Sequence, residues 1–338
     1  MDALALVDAA ASPADLVRRR LLRAFGPIAG KLAADRETRV AVMGVSVVLS
    51  ALLGAVTLPL WVLALGPVLL GVPHLVADIR YLWIRPGLHL RPTAWLLIGG
   101  PMLAGLVTGR LVAGLFSAAG AVMIARTSLR RRLLALTVVA ALAYVAEIAG
   151  ALADVIFAHA HNLIAVGLWW AWRPRRGRAH TIPLVLFALA SVALVAGLAD
   201  ALPVQGASLG PSLRYHASVL APGLDATWST RLVLFFCFAQ SVHYGVWLRL
   251  VPEEDRERET PRTFRASARQ LIEEMGLWPF AVALFACVGI VVWAVFDLGM
   301  ARHGYLRFAV FHGQLELAAV ALFAVQGSAR VARSAPPA

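Results

Sequence analysis

"GVPHLVADIRYLW", residues 71–83, places His74 and Asp78 one helical turn apart in an otherwise apolar stretch. Lipid penalises an imidazole and a carboxylate alike, so ionisable residues in such a stretch indicate a functional site by default. Whether this stretch crosses a membrane depends on the rest of the chain.

The composition is typical of a polytopic membrane protein. Of the 338 residues, 60% are hydrophobic, and the mean hydropathy is +0.76, which soluble domains seldom reach. The two cysteines lie in apolar runs, where they behave as small hydrophobes, so we expect no disulfide framework. The first residues lack a basic segment, so we expect no cleaved signal peptide.

Apolar windows of about 20 residues predict ten membrane-spanning helices. They cover residues 40–57, 60–83, 93–109, 111–127, 132–153, 154–173, 182–199, 229–250, 278–298 and 305–327. The sequence therefore predicts an all-α integral membrane protein, a bundle of about ten transmembrane helices.

The charge distribution predicts an orientation for these spans. The net charge is +12, and all but Lys31 of the 31 basic residues are arginine. Most of them fall in alternate loops, which the positive-inside rule places in the cytoplasm together with both termini. This explains the charge without nucleic acid, so we expect no nucleic-acid partner and a location in a bacterial-type inner membrane.

The predicted organisation is one transmembrane domain, residues 40–327, between a cytoplasmic segment, 1–39, and a tail, 328–338. Arginines alternate with apolar residues at helical spacing in segment 1–39 and again at 260–276. This pattern predicts two amphipathic helices on the cytoplasmic face. The one long outer loop, 200–228, is predicted to be a plain connection or a cover over an entrance from the bilayer.

Few ionisable or strongly polar residues lie within the predicted spans, and any chemistry must use them. They are His74, Asp78, Glu147, His159, His161, Asn162, Gln240, His243, His312, Gln314 and Glu316. Counted from the outer ends of the spans, His74 and His243 lie roughly 20 Å deep, and His161 and His312 roughly 11 Å deep. The count predicts two layers of imidazoles roughly 9 Å apart around the midplane.

We expect His74, His161, His243 and His312 to be metal ligands. Asp78 either binds the metal, orients an imidazole or pairs with Arg80. Glu147 and His159 are predicted to orient ligands or to move protons, with Glu147 bonded to His159 or His161. Imidazoles without thiolates suit iron most, with copper and zinc as alternatives. An apolar surround suits a lipid-soluble substrate that arrives from the membrane lipids.

A family resemblance rests on "GVPHLVAD". It resembles the G-x-P-H-G-x-x-D signature of the membrane carotenoid dioxygenases of the Brp/Blh type, many-helix proteins that cleave β-carotene to retinal. The resemblance implies a non-haem iron held by histidines on several spans, with His74 as a ligand and Asp78 as its helical neighbour. Leu75 replaces the glycine of the signature, and Trp247 stands where a second histidine would follow His243.

These patterns favour a membrane iron oxygenase or oxidoreductase that acts on a carotenoid-like molecule. One alternative is an electron carrier in which histidines at equal depth form axial pairs to haem, His74 with His243 and His161 with His312. Another is a proton-coupled transporter that moves protons through carboxylates in its spans. In the transporter, Asp78, Glu147 and Glu316 would join the histidines on the proton path.

Overall fold

The computed structural model describes residues 3–174, 177–202, 204, 210–256 and 260–326. Within these ranges the chain is predominantly helical and has no strand, which confirms the all-α class. The predicted tail, 328–338, and positions 203 and 205–209 of the predicted outer loop lie outside the described residues.

Sixteen α-helical segments follow one another in the described ranges. They are α1 (Ala3–Ala24), α2 (Gly26–Ala34), α3 (Arg36–Thr57), α4 (Pro59–Asp78), α5 (Pro92–Ala94), α6 (Gly100–Thr108), α7 (Leu111–Ile124), α8 (Leu129–Ala149), α9 (Ala151–Ala171), α10 (Thr181–Val195), α11 (Leu213–Leu220), α12 (Ala226–Gly245), α13 (Val251–Glu254), α14 (Phe264–Met275), α15 (Leu277–Phe296) and α16 (Leu298–Gln326). Three π-helical turns continue these helices: Ile79–Ile84 extends α4, Trp95–Gly99 joins α5 to α6, and Val246–Leu250 joins α12 to α13.

Seven helices in the described part of the chain are long and apolar enough to cross a membrane. They are Arg36–Thr57, Pro59–Ile84, Leu129–Ala149, Ala151–Ala171, Ala226–Glu254, Leu277–Phe296 and Leu298–Gln326. Three shorter apolar helices, Pro92–Thr108, Leu111–Ile124 and Thr181–Val195, coincide with the other three predicted spans. The protein is therefore a multi-helix membrane protein.

Local sequence signals explain where several helices begin and how tightly they follow one another. Asp35 and Asp225 accept hydrogen bonds from the first backbone amides of α3 and α12, as N-caps do. Between α8 and α9 the only residue is Gly150, which has a φ of +57°, a conformation that glycine adopts without strain. The chain therefore passes from α8 to α9 through a single residue.

The interior of the bundle is formed mainly by the spans that contain α4, α12 and α16, which are the most buried of the seven. By contrast, α15 has no buried residue and α8 has very few. Side chains on α4, α12 and α16 therefore meet in the centre, whereas most side chains on α8 and α15 face outward.

The helices in both regions predicted to be amphipathic, α1 and α14, pack against each other. The buried carboxylate of Asp15 on α1 accepts hydrogen bonds from the backbone amides of Phe264 and Arg265 and so caps α14. At the other end of α14, Glu274 accepts hydrogen bonds of 2.7 Å from both Arg80 and Arg85. Burial raises the pKa of Glu274, but these hydrogen bonds outweigh it and lower the pKa to about 2.

Candidate metal centre

His74 and Asp78 lie on the last turns of α4 and both are fully buried in the bundle. Their nearest atoms, Nε2 and Oδ2, are 3.8 Å apart. Neither carboxylate oxygen of Asp78 has a hydrogen-bond partner in the described part of the chain, and neither does Nε2 of His74. Buried charges without partners are costly, so this pair calls for a cation or a proton.

His243 from α12 and His312 from α16 meet His74 at the same point. The ring centroid of His74 lies 5.3 Å from that of His243 and 4.8 Å from that of His312. The centroids of His243 and His312 are 5.6 Å apart. One ring nitrogen from each histidine and one oxygen of Asp78 all lie within 4.8 Å of one another. Three helices thus contribute four ligand-type atoms to one buried point.

His161 from α9 is the fourth histidine of this cluster. Its ring centroid is 5.2 Å from that of His243 and 5.3 Å from that of His312. Its Nδ1 donates a hydrogen bond of 2.8 Å to the carbonyl of Ala158, and Nδ1 of His312 donates likewise to the carbonyl of Ala309. Because Nδ1 carries the proton in these hydrogen bonds, Nε2 keeps the lone pair that a metal ligand needs.

Glu316 adds a second buried carboxylate one turn after His312. Its Oε1 lies 3.7 Å from Nε2 of His243 and accepts a hydrogen bond of 2.6 Å from the indole nitrogen of Trp247. Its Oε2 has no partner among the described residues. We therefore define the histidine cluster as His74, His161, His243 and His312 with the carboxylates Asp78 and Glu316.

Tyr305 supports the cluster from the first half of α16. Its hydroxyl oxygen lies 3.3 Å from Nδ1 of His74, so His74 can donate to it when Nε2 is the ligand. The tyrosine ring lies directly against Gly71 of α4, where an added Cβ would come within 2.5 Å of Tyr305 Cε2. The glycine of the "GVPHLVAD" stretch is thus required for this close approach.

The histidine cluster fits a transition metal. A metal with imidazole ligands about 2.0–2.1 Å away holds its ligand atoms at most about 4 Å apart, and small side-chain rotations reach this from 4.8 Å. The unpartnered nitrogens of His74 and His243 and the unpartnered carboxylate oxygens are the groups that such an ion would satisfy. Imidazoles with only two carboxylates suit iron, copper or zinc better than calcium or magnesium.

A cavity of about 490 Å³ opens beside the cluster. All four histidines contribute to its wall, and most of its remaining surface is apolar, with Phe157, Leu220, Phe236, Leu306 and Val310 among the lining residues. Its polar groups away from the cluster include Tyr215, His216 and Arg302. Burial, assisted by the charge of Arg302, lowers the pKa of His216 to about 4, so this imidazole is neutral near neutral pH.

Two residues predicted to assist the metal lie elsewhere. Glu147 was expected to be buried beside a histidine, but its side chain is 67% exposed and lies 3.8 Å from Arg110. His159 donates a hydrogen bond of 2.9 Å to the carbonyl of Leu220 and stacks on Phe235. It lies only two residues from His161, and helical geometry turns the two side chains to different faces of α9.

Two further expectations differ from the structure. The histidines do not form two layers roughly 9 Å apart, because all four rings are within contact distance of at least two others. Arg80 is bonded to Glu274, and Asp78 faces His74 instead of Arg80. Of the cluster and its neighbours, Glu316 was predicted only as a transporter group, whereas Tyr305 was not predicted to take part. The spacing His312-x-x-x-Glu316, which repeats His74-x-x-x-Asp78, is the sequence signal for Glu316.

Comparison with known proteins adds no relative. The chain matches no family model, no curated protein and no solved structure.

Proposed function

We propose that the protein is a membrane-embedded oxidoreductase that uses a non-haem iron in the histidine cluster to oxidise a lipid-soluble, carotenoid-like substrate. One observation carries this proposal: four histidines converge inside a membrane bundle on the wall of a largely apolar cavity, and two fully buried carboxylates lie beside them. Iron with imidazole and carboxylate ligands supplies the binding and activation of dioxygen.

The proposal includes a topology. The three shorter apolar helices would cross or re-enter the bilayer with the seven longer ones, which gives ten spans with both termini in the cytoplasm of a bacterial-type inner membrane. This orientation places the arginine-rich ends of α4 and α12 on the cytoplasmic side. It rests on the charge of the loops alone.

The residues of the cluster have different roles in this proposal. His74, His243 and His312 with Asp78 hold the ion, and His161 is the next available ligand. Backbone carbonyls fix the rings of His161 and His312, and Tyr305 fixes the ring of His74. These contacts keep each Nε2 directed at one point, which limits the reorganisation needed for binding.

Glu316 serves as the proton-handling group. It is buried next to His243, and Trp247 holds one of its oxygens in place. The other oxygen is unpartnered and can accept a proton without breaking the indole contact. A catalytic step that releases a proton near the cavity therefore has an acceptor within the cluster, and the protonated carboxyl can return that proton to a step that consumes one.

The cavity supports the choice of substrate class. A volume of about 490 Å³ lies in the range of sites for small organic molecules, and an apolar wall favours a hydrocarbon body. Tyr215, His216 and Arg302 provide hydrogen-bonding groups for an oxygenated end of the substrate. Such a molecule partitions into lipid and can enter from the bilayer.

The alternatives are less well supported by the geometry. The two predicted axial pairs, His74 with His243 and His161 with His312, each have ring centroids only 5.3 Å apart, and the rings of the two pairs also contact each other, so the packing does not favour haem. A proton-coupled transporter remains the second candidate, because the buried carboxylate of Asp78 lies on a span that lines both this cavity and a second one, and that of Glu316 lies on a span that lines this cavity. In that case Glu316→Gln abolishes uptake yet retains any bound metal.

The direct test is oxygen consumption by iron-loaded protein in detergent with β-carotene as the probe substrate. We expect substrate loss that depends on both iron and dioxygen in the wild type and in His159→Ala. The activity should be absent in His312→Ala. Iron-loaded wild type that leaves a panel of carotenoids and other polyenes unchanged would overturn the proposed reaction.

A further inference from the structure

A second cavity, of about 250 Å³, lies at the end of the bundle where α4 and α12 continue into their π-helical turns. Helix α14 closes it from one side. Among the residues that the structure describes, five arginines and no carboxylate line it. The arginines are Arg80, Arg85, Arg249, Arg256 and Arg262. This cavity is separate from the one beside the histidine cluster and was not predicted from the sequence.

Within the described ranges, neighbouring carboxylates neutralise only part of this charge. Glu274 binds both Arg80 and Arg85, and Asp255 also pairs with Arg85. One terminal nitrogen of Arg80, Nη2, is nevertheless buried and has no hydrogen-bond partner in the described ranges. A buried guanidinium nitrogen without an acceptor is costly, so this position calls for an additional acceptor.

The remaining three arginines carry more uncompensated charge. Arg256 pairs with Glu253 at 3.1 Å, whereas Arg249 and Arg262 form no ion pair with any residue that the structure describes. Burial lowers the pKa of Arg256 despite the opposing effect of Glu253, and the charge of Arg262 lowers it further. The guanidinium groups of Arg256 and Arg262 thus repel each other in a partly buried space.

We propose that this arginine cavity binds a phosphate group. Guanidinium groups form paired, charge-assisted hydrogen bonds with phosphate oxygens, and several of them can share one phosphate. The side chains of Ser267 and Gln270 add polar groups to the wall. The volume is slightly below that of sites for drug-sized molecules and suits a headgroup or a small anion.

The phosphate can come from an anionic phospholipid or from solution. Apolar residues, among them Leu248, Phe264 and Leu271, form part of the same wall and would contact the glycerol or the first methylenes of a lipid. The amphipathic α14 is of the type that lies at a membrane surface, where lipid headgroups are found. Free phosphate would use the arginines alone. The site does not depend on the histidine cluster or on any metal.

The test uses the full chain, purified in detergent, in two arms. Native mass spectrometry measures retention of phosphatidylglycerol against phosphatidylcholine, and calorimetric titration measures binding of inorganic phosphate. The pocket variants are Arg249→Gln/Arg262→Gln and Gln270→Glu, the second of which keeps every arginine and adds a carboxylate of nearly the same shape. The matched control, Arg130→Gln/Arg131→Gln, removes the same charge from two exposed arginines at the start of α8.

We expect a preference for phosphatidylglycerol of about tenfold or more that both pocket variants lose and the control keeps. If the source is free phosphate, phosphate binds in the second arm with the same variant pattern and the lipids show no preference. Equal behaviour of pocket variants and control in both arms would overturn the proposal, because the attraction would then be one of overall charge. If the double variant does not fold, Gln270→Glu decides the result.

Discussion

Gly71→Ala tests how the "GVPHLVAD" stretch supports the histidine cluster. The new Cβ would lie 2.5 Å from Cε2 and 2.9 Å from Cε1 of Tyr305, whereas ordinary Cβ contacts begin at 3.4 Å. The ring must therefore move by about 1 Å (3.4 minus 2.5). The contact between the tyrosine hydroxyl and Nδ1 of His74 is already 3.3 Å long, so a shift of this size breaks it.

We expect Gly71→Ala to cost about 1–3 kcal/mol of stability through overpacking. Thermal unfolding in detergent measures this loss, and metal content measured in parallel should fall because His74 loses its orienting partner. The matched control is Gly289→Ala on α15, where an added Cβ meets no atom within 4 Å. That change should be neutral or stabilise the helix by roughly 0.5–1 kcal/mol. A Gly71→Ala protein as stable and as metal-rich as the control would refute the packing argument.

Contacts elsewhere give three more expected results. At pH values above 4.5, the ordinary pKa of a glutamate, the ion pairs of Glu274 stabilise the docked α14. This stabilisation disappears as the pH falls towards about 2, the lowered pKa of Glu274. We therefore expect limited proteolysis to cleave at α14 faster on acidification, and already at neutral pH in Glu274→Gln. A cleavage rate that neither change affects would contradict this expectation. Trp247→Phe leaves Glu316 without its indole donor and should cost about 1–3 kcal/mol in thermal unfolding. An unchanged midpoint would mean that another donor replaces the indole. Glu147→Gln should leave metal content and stability unchanged, because the side chain is largely exposed; a loss of metal would refute its placement.

Hydropathy predicted the helical membrane class because the apolar runs are long and clearly bounded. Every predicted span coincides with an apolar helix, seven of them long enough to cross a bilayer in the described chain. The same signal could not show which side of a helix faces its neighbours. Glu147 illustrates this: α8 lies at the periphery, so a carboxylate in an apolar run there need not be buried.

The histidine cluster was predicted as a group of residues, but its geometry was not. The predicted depths relied on span ends, and α16 begins at Leu298, seven residues before the predicted start at 305. Similarly, α9 begins at Ala151, three residues before the predicted start at 154. Moving the start of α16 outward deepens His312 by roughly 10 Å at about 1.5 Å per residue, which removes its predicted gap from His74. Because α12 also begins three residues before its predicted start, at Ala226, the span ends do not account for the contact between His161 and His243.

Some contacts have no local sequence signal at all. Tyr305 meets His74 across 231 positions, and the contact depends on how α16 packs on the glycine side of α4. The arginine cavity combines charges from the π-helical turns after α4 and α12 and from the segments next to them, and in sequence these arginines look like membrane-anchoring charges. Long-range packing decides both features, and a single sequence does not reveal which helices are neighbours.

The most direct test of the metal centre is elemental analysis of protein expressed with ample iron and purified in detergent. Wild type should contain near-stoichiometric iron without a haem absorption band, and His243→Ala/His312→Ala should contain almost none. The control His159→Ala/His180→Ala removes two histidines outside the cluster and should keep the metal. Wild type without metal, or equal metal in the two double variants, would contradict a metal site in the histidine cluster.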